Sequence, residues 1–226
     1  MIRALTLILE TSTPQASLAV VQPDGEIELR AFSSDRSHNA VLFSPLKEVL
    51  AARGDLEIGL VVVGSGPGSY SGTRVGIAAA QGVAIASGCP AVAVPSILAV
   101  PSAQGGAACL AIGDARRGSY WTAKVENFQM LTDPELTDAA GLEEIVRNAV
   151  EQGASVFSFE NPARFPLTAD LGAQVKLEFP DAARLWEAWL ATDDQTRAKW
   201  LAQTPQPMYL KPPHITPAKR SWLVQP

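Results

Sequence analysis

The chain has 226 residues, of which 47% are apolar and 18% are charged, and its mean hydropathy is +0.09. Since charged residues usually make up about 25% of a globular chain, this composition excludes an intrinsically disordered protein and supplies a sizeable core. The net charge of −5 argues against a general nucleic-acid binder. The length predicts one bilobed unit or two small domains.

The chain offers few residues that bind metals or form disulfides. Its cysteines are Cys89 and Cys109, and its histidines are His38 and His214. Two of each are too few for a closed zinc site or a disulfide framework, so we predict a cytoplasmic protein without a metal. The uncharged stretch at 75–113 contains three prolines and no 18-residue apolar run, so we expect no membrane-spanning helix and no membrane partner.

Strand and helix signals in the first half follow the order β-β-β-α-β-α. Apolar runs and one alternating run predict three strands, and a Pro-Asp-Gly turn at 23–25 separates the last two. A later, continuous apolar run is typical of a strand that is buried on both faces. The predicted elements are strands at 4–9, 16–21 and 26–32, a helix at about 39–53, a strand at 60–63, a helix from about 74 to 87 and a strand at 91–94.

The second half begins like the first, with a strand, a polar turn and another strand. Asp114 opens this turn at the place that Glu10 takes in the first half, which predicts a structural duplication. We therefore divide the chain into an N-terminal lobe at 1–104, a C-terminal lobe at 105–204 and a Pro-rich extended tail at 205–226. The predicted elements of the second lobe are strands at 109–113 and 120–126, a helix at about 140–152, strands at 155–159 and 174–178, and a helix from about 181.

A Gly-rich loop at 64–74 follows the buried strand of the first lobe. Its glycines let the backbone pack closely and direct N–H groups at an anion near a helix N-terminus. The loop has Thr73-Arg74 where a P-loop needs Lys-Ser/Thr, and Ser69 where a dinucleotide-binding loop needs a third glycine. A tight strand-to-helix turn without any ligand is the alternative interpretation.

Carboxylates stand in both predicted hairpin turns and face each other across a predicted cleft. A phosphotransferase of this duplicated architecture needs carboxylates there for a metal–nucleotide complex and a base. The first turn has Glu instead of the shorter Asp and lacks glycine, and turn hydrogen bonding is the alternative role for its hydroxyls. We predict at most a weak or vestigial cofactor site, formed by Glu10, Thr11, Ser12, Gly66, Gly68, Ser69, Gly72 and Asp114.

No catalytic residue is predicted. His38 opens the first predicted helix, but Leu42 stands four residues later in place of a second metal ligand. Neither histidine lies in a segment that would anchor a nucleophile. Arg116 and Arg117 combine with aromatic residues as an RNA surface does, but Trp121 on a strand is most simply a core residue.

The segment from Gly64 to Ile77, GSGPGSYSGTRVGI, followed by Ala80-Gln-Gly82, resembles the hallmark of a family of bacterial tRNA threonylcarbamoyladenosine biosynthesis proteins. This is the TsaB family, also called YeaZ-type or glycoprotease-like. The first turn, Glu10-Thr-Ser-Thr13, and Asp114-Ala-Arg116 support the resemblance. It implies an ASKHA (actin-like, sugar-kinase-like) α/β fold with two duplicated lobes, each built on a β-meander with helices.

The resemblance also implies a role. Members of the family are non-catalytic partners that bind and activate the related enzyme TsaD, together with the ATPase TsaE, in placing threonylcarbamoyl on adenosine 37 of ANN-decoding tRNAs. The isolated chain would then need no cofactor, ATP or ADP would bind in the complex with TsaD, and tRNA would be contacted only indirectly. Three alternatives remain at this stage: an ASKHA-type ATP-dependent enzyme, a glycoprotease-like peptidase, or a plain nucleotide-binding module.

The helix at 74–87 predicts a protein–protein interface. Gln81 is its only polar residue between the ends, and a helix that is apolar all round is expected to be buried on opposite sides. Small residues at 76, 80 and 84 predict a groove for a partner helix. With the helix at 39–53, they predict a four-helix interface shared by a homodimer and a TsaD heterodimer, formed by Val41, Leu42, Leu46, Gly76, Ala79, Ala80, Val83 and Ala84.

Overall fold

Two mixed sheets form the framework of the molecule. We describe them from a computed structural model that covers residues 4–33 and 38–210, leaving the side chains of 38–40 aside. The part of the predicted tail at 211–226 lies outside these residues. Each sheet combines antiparallel hairpin strands with parallel strands, and helices pack against both sheets.

The first sheet has five strands, which are β1 (Ala4–Glu10), β2 (Gln15–Val21), β3 (Ile27–Ser33), β4 (Glu57–Gly64) and β5 (Ala91–Val94). Their order across the sheet is β3-β2-β1-β4-β5. The first three strands form an antiparallel meander, whereas β4 and β5 run parallel to β1. The strands predicted in the first lobe are confirmed, because β-branched and leucine-rich runs bury both faces of β1 and of the second half of β4.

The second sheet repeats this arrangement. Its strands are β6 (Cys109–Asp114), β7 (Tyr120–Glu126), β8 (Gln129–Met130), β9 (Glu135–Thr137), β10 (Ser155–Ser158) and β11 (Val175–Leu177). The order is β11-β10-β6-β7-β8, with β9 paired to β7, and β10 and β11 run parallel to β6. Each sheet therefore carries a meander followed by two parallel strands, which confirms the predicted α/β fold with two duplicated lobes. The short strands β8 and β9 were not predicted.

The helices of the described residues are α1 (His38–Ala52), α2 (Tyr70–Ser87), α3 (Pro101–Gln104), α4 (Ala139–Glu151), α5 (Ala169–Gly172), α6 (Ala182–Ala191) and α7 (Asp194–Leu201). At the start of α2 the Ser69 hydroxyl accepts from the Gly72 N–H, and Gly88 ends the helix with φ +65°. The helix predicted from about 181 is divided into α6 and α7, and the Asp193 side chain caps α7 by accepting from the Thr196 N–H. Within the described part of the chain, no helix is long and apolar enough to span a bilayer.

Packing links the two predicted lobes. The largest core joins the two sheets, with Ile8 and Val62 from the first and Phe157 from the second. Leu185 and Trp189 of α6 belong to this same core, and α6 packs against β1, β2 and β4. The last two helices therefore cover the first sheet, although the sequence places them in the C-terminal lobe.

Candidate functional site

A cleft of about 1250 Å³ lies between the two lobes. One wall consists of the turn after β1, the Gly-rich loop and the first turn of α2. The opposite wall consists of the turn after β6 and the segment that follows β10. Residues 207–210 run along the cleft as well, so the first part of the predicted tail packs against the folded lobes.

Glu10 does not reach this cleft. Its side chain is fully buried at the end of β1, where Oε1 accepts from the Ser12 N–H (2.6 Å) and Oε2 accepts from the Ser96 hydroxyl (2.7 Å). The Ser96 hydroxyl in turn accepts from the Gly66 N–H (3.0 Å). A Cβ at Gly64 would overlap the Glu10 carboxyl, which explains why a glycine ends β4. The carboxylate thus braces the first turn against the Gly-rich loop.

Burial dominates the titration of Glu10. Loss of hydration disfavours the charged form and raises the pKa above its usual value of 4.5, although hydrogen bonds from Ser12 and Ser96 act in the opposite direction. A buried carboxyl with its oxygens already occupied by protein donors is poorly placed to coordinate a metal–nucleotide complex.

The next residues of the first turn also contact the Gly-rich loop. The Thr11 hydroxyl donates to the Gly72 carbonyl (2.8 Å), and a Cβ at Gly76 would overlap it. The Ser69 N–H donates to the Ser12 carbonyl (2.6 Å), and a Cβ at Gly68 would overlap that carbonyl oxygen. The close backbone approach that the glycine pattern predicts is therefore present, between this loop and the first turn.

The turn after β6 is organised differently. Asp114 accepts from the backbone N–H of Arg116 (2.6 Å) and from its guanidinium (3.1 Å), while the Asp114 N–H donates to Glu160 (2.8 Å). Arg116 and Arg117 both adopt left-handed backbone conformations, with φ of +68° and +60°, next to Gly118 at +71°. Non-glycine residues rarely occupy this region, so two in succession represent local strain.

The structure brings together only half of the predicted cofactor residues. Ser12, Gly68, Ser69 and Asp114 line the cleft. The other four do not line the cleft and contribute instead to packing beneath it or to the start of α2; these residues are Glu10, Thr11, Gly66 and Gly72. Among the described residues, no group of three or more His, Cys, Asp and Glu is arranged to hold a cation.

The predicted interface stripe lies on the covered face of α2. Gly76, Ala80 and Ala84 are buried within the first lobe, so they form no surface groove, and their prediction as partner contacts is wrong. Leu42, Leu46 and Ala79 are buried too, while Val41 and Val83 are half-buried. The exposed face of α2 carries instead Arg74, Ala78, Gly82 and Ile85, and Ile85 is 83% exposed.

A cluster of Arg74, Tyr70 and Tyr209 at the cleft mouth is not evident from the sequence. The Arg74 guanidinium donates to the Tyr209 hydroxyl (2.8 Å), and its central carbon lies 4.0 Å from the centre of the Tyr70 ring. Glu160, which accepts from Asp114, was missed as well. No local sequence pattern signals that Tyr209 meets α2, because Tyr209 and Arg74 are far apart in the chain.

Comparisons with known proteins agree with the resemblance. The family model described as "TsaD: tRNA N6-adenosine threonylcarbamoyltransferase" matches residues 33–188. The tRNA threonylcarbamoyladenosine biosynthesis protein TsaB of Escherichia coli K12 is 28% identical over 153 residues, which are 65% of this chain and 66% of that protein. The TsaB of Haemophilus influenzae is 30% identical over 102 residues, 44% of this chain and 43% of that protein. The chain thus spans just under two thirds, or less, of these curated relatives.

Two solved structures from Pseudomonas aeruginosa share the fold. A protein with similarity to peptidase YeaZ has a TM-score of 0.70 at 20% identity, and YeaZ itself has 0.63 at 21%. Both alignments cover 92% of this chain and 100% of the solved chain. Since the family model matches well over half of the sequence, the chain belongs to the family that the TsaD model describes, and within it the predicted resemblance to TsaB is confirmed.

Proposed function

We propose that the chain is a non-catalytic subunit in the formation of threonylcarbamoyladenosine at adenosine 37 of ANN-decoding tRNAs. In this role it binds and activates TsaD, with the ATPase TsaE as a further component of the complex. Membership of the family and the names of the Escherichia coli and Haemophilus influenzae relatives support the pathway. The arrangement of polar groups supports the non-catalytic role.

The groups that a phosphotransferase would use are already engaged. Glu10 is buried and accepts from two protein donors, and Asp114 is bonded to the turn that follows it. Burial of Cys109 raises its pKa to about 12, so its thiol remains protonated at neutral pH and is a poor nucleophile. We therefore expect the isolated chain to show no ATPase, kinase or peptidase turnover. Turnover that disappears in Glu10→Gln or Asp114→Asn would contradict this.

The exposed face of α2 is the observation that carries the proposed partner role. Ala78, Gly82 and Ile85 follow each other at helical spacing and are all exposed, while Val75 beside them is half-buried. Covering an uncharged row of this kind with a partner removes apolar surface from water. This favours association by about 25 cal/mol per Å² of apolar area that is buried. We propose that TsaD binds here in the complex and that a second copy of the chain binds here in its absence.

Reconstitution with TsaD and TsaE from the same source tests this role. Threonylcarbamoyladenosine formed on tRNA is measured by nucleoside mass spectrometry, with and without the chain. Gly82→Arg places a charge on the exposed face, where an added Cβ meets no atom within 4 Å. Asn148→Arg on the exposed side of α4 is the matched control. We expect product with the unchanged chain and with Asn148→Arg, and little with Gly82→Arg. Equal product in all three would contradict the proposal.

A further inference from the structure

Residues 205–210, which we call the C-terminal strap, return from α7 to the first lobe. The Gln81 side chain on α2 donates to the Pro205 carbonyl (3.1 Å), and the Met208 N–H donates to the Ser65 carbonyl (2.8 Å). Leu210 packs against the core that joins the sheets. The strap is therefore held on α2, on the Gly-rich loop and on the core that joins the two sheets.

Between these anchors, Tyr209 holds an arginine of α2. The guanidinium carbon of Arg74 lies 4.0 Å from the Tyr70 ring centre and 5.5 Å from that of Tyr209, and Arg74 also donates to the Tyr209 hydroxyl. Both rings are largely exposed, Tyr70 by 67% and Tyr209 by 53%. Two rings that flank one guanidinium restrict its rotamers while leaving one edge accessible from outside.

Arg74 retains hydrogen-bonding capacity at this surface. A guanidinium has five N–H donors, and the hydrogen bond to Tyr209 uses one of them. None of the ion pairs formed between described residues includes Arg74. A planar cation that is held in place without a carboxylate partner is suited to a bidentate pair with a carboxylate from outside.

The cluster is continuous with the apolar row of α2. Arg74 precedes Ala78, Gly82 and Ile85 by four, eight and eleven residues, which places all four on one helix face, and all four are exposed. Tyrosine and arginine are the residue types that carry much of the binding energy at the centre of protein interfaces. The row and the cluster therefore form one surface, with an apolar half and a cationic, aromatic half.

We propose that the C-terminal strap is part of the partner-binding surface, and that the partner presents an apolar helix face with an Asp or Glu carboxylate opposite Arg74. This inference rests on the proposed function, because it extends the same α2 face. Tyr209 acts as a positioning residue that orders the guanidinium before binding, which reduces the entropy lost in the complex. The adjoining apolar row favours a protein over a nucleic-acid phosphate as the source of the anion.

Binding of the full chain to purified TsaD, measured by calorimetry at several salt concentrations, tests the inference. We expect Arg74→Met to raise Kd by about tenfold and to flatten its salt dependence, since the carboxylate pair is lost. Tyr209→Ala should raise Kd by about fivefold with the salt dependence retained, and Tyr209→Phe should raise it less. Arg147→Met on α4 is the matched control, because its ion pair with Glu143 lies on the other lobe. It should bind like the unchanged chain.

Ile85→Arg separates this inference from the proposed function. If Ile85→Arg binds TsaD normally, the α2 surface itself is wrong. If it abolishes binding while Arg74→Met and Tyr209→Ala bind like the unchanged chain, the strap inference is wrong and the proposed function stands. If Arg74→Met weakens binding without changing its salt dependence, or weakens tRNA binding by the complex instead of TsaD binding, the partner carboxylate is contradicted.

Discussion

The two hairpin turns that face the cleft have opposite environments, although they occupy equivalent places in a duplicated fold. In the first turn Glu10 is fully buried, and its two carboxylate oxygens accept from Ser12 and Ser96. In the second turn Asp114 is only partly buried and pairs with Arg116, whose side chain is exposed. A duplicated topology thus preserves a backbone frame without preserving the chemistry of its turns. The first turn is a structural brace, whereas the second remains a polar surface of the cleft.

The largest expected effect comes from disturbing the contact between the first turn and the Gly-rich loop. Gly68→Val should destabilise the fold by about 4 kcal/mol or more, because its Cβ would overlap the Ser12 carbonyl oxygen of the backbone. In the second turn Gly118 has φ +71°, but an added Cβ would meet no atom within 4 Å. Gly118→Ala should therefore lower the free energy of unfolding by only about 1 kcal/mol. Urea unfolding measures both. Equal losses would show that the turns do not differ as described.

Removing the carboxylate of either turn should also have unequal effects on stability. Glu10→Ala leaves the Ser12 N–H and the Ser96 hydroxyl without their acceptor in a buried site, so we expect a loss of about 3 kcal/mol in the free energy of unfolding. Asp114→Ala removes a pair with an exposed arginine and should cost less than about 1 kcal/mol. Denaturant midpoints of the two variants provide the test. A larger loss of stability for Asp114→Ala would contradict the structural role of the first turn.

Much of the fold could be predicted from local patterns. Apolar runs and one alternating run predict most of the strands, and the glycines of the loop at 64–74 predict a close backbone approach, although not that the first turn is the neighbour. The burial of Glu10 could not be predicted, because a carboxylate is normally exposed and only tertiary contacts supply its donors. The covered face of α2 could not be predicted either, because the sequence of a helix that is apolar all round does not indicate which side meets the sheet. The strap depends on contacts between residues more than 120 positions apart.

The pH dependence of stability tests the burial of Glu10 directly. Since burial raises the pKa of Glu10, its carboxyl group keeps its proton above pH 4.5 more readily in the folded chain than in the unfolded chain. The stability that the protonated Glu10 contributes to the folded state is therefore complete below about pH 4.5 and is lost as pH rises through the folded-state pKa. We expect the free energy of unfolding of the unchanged chain to fall relative to that of Glu10→Gln over this range. Parallel curves would contradict a raised pKa.

The smallest effect is expected at the strained second turn. Arg117 has φ +60°, so Arg117→Gly should raise the free energy of unfolding by about 1 kcal/mol through relief of the left-handed backbone. The matched substitution Arg147→Gly, inside α4, should instead lower it by about 1 kcal/mol. Thermal unfolding of the two variants measures the opposite signs. A loss in Arg117→Gly would mean that the turn is not strained.

We propose that the chain acts through a surface on α2 and not through chemistry in its cleft. The most direct test measures threonylcarbamoyladenosine in tRNA from host cells whose only copy of the chain carries either Asp114→Asn or Ile85→Arg. We predict that Asp114→Asn retains the modified nucleoside at the level of the unchanged chain, because the Asp114 carboxylate accepts from Arg116 within its own turn. We predict that Ile85→Arg reduces it to the level of cells depleted of the chain. Loss in Asp114→Asn together with retention in Ile85→Arg would contradict an action through the α2 surface.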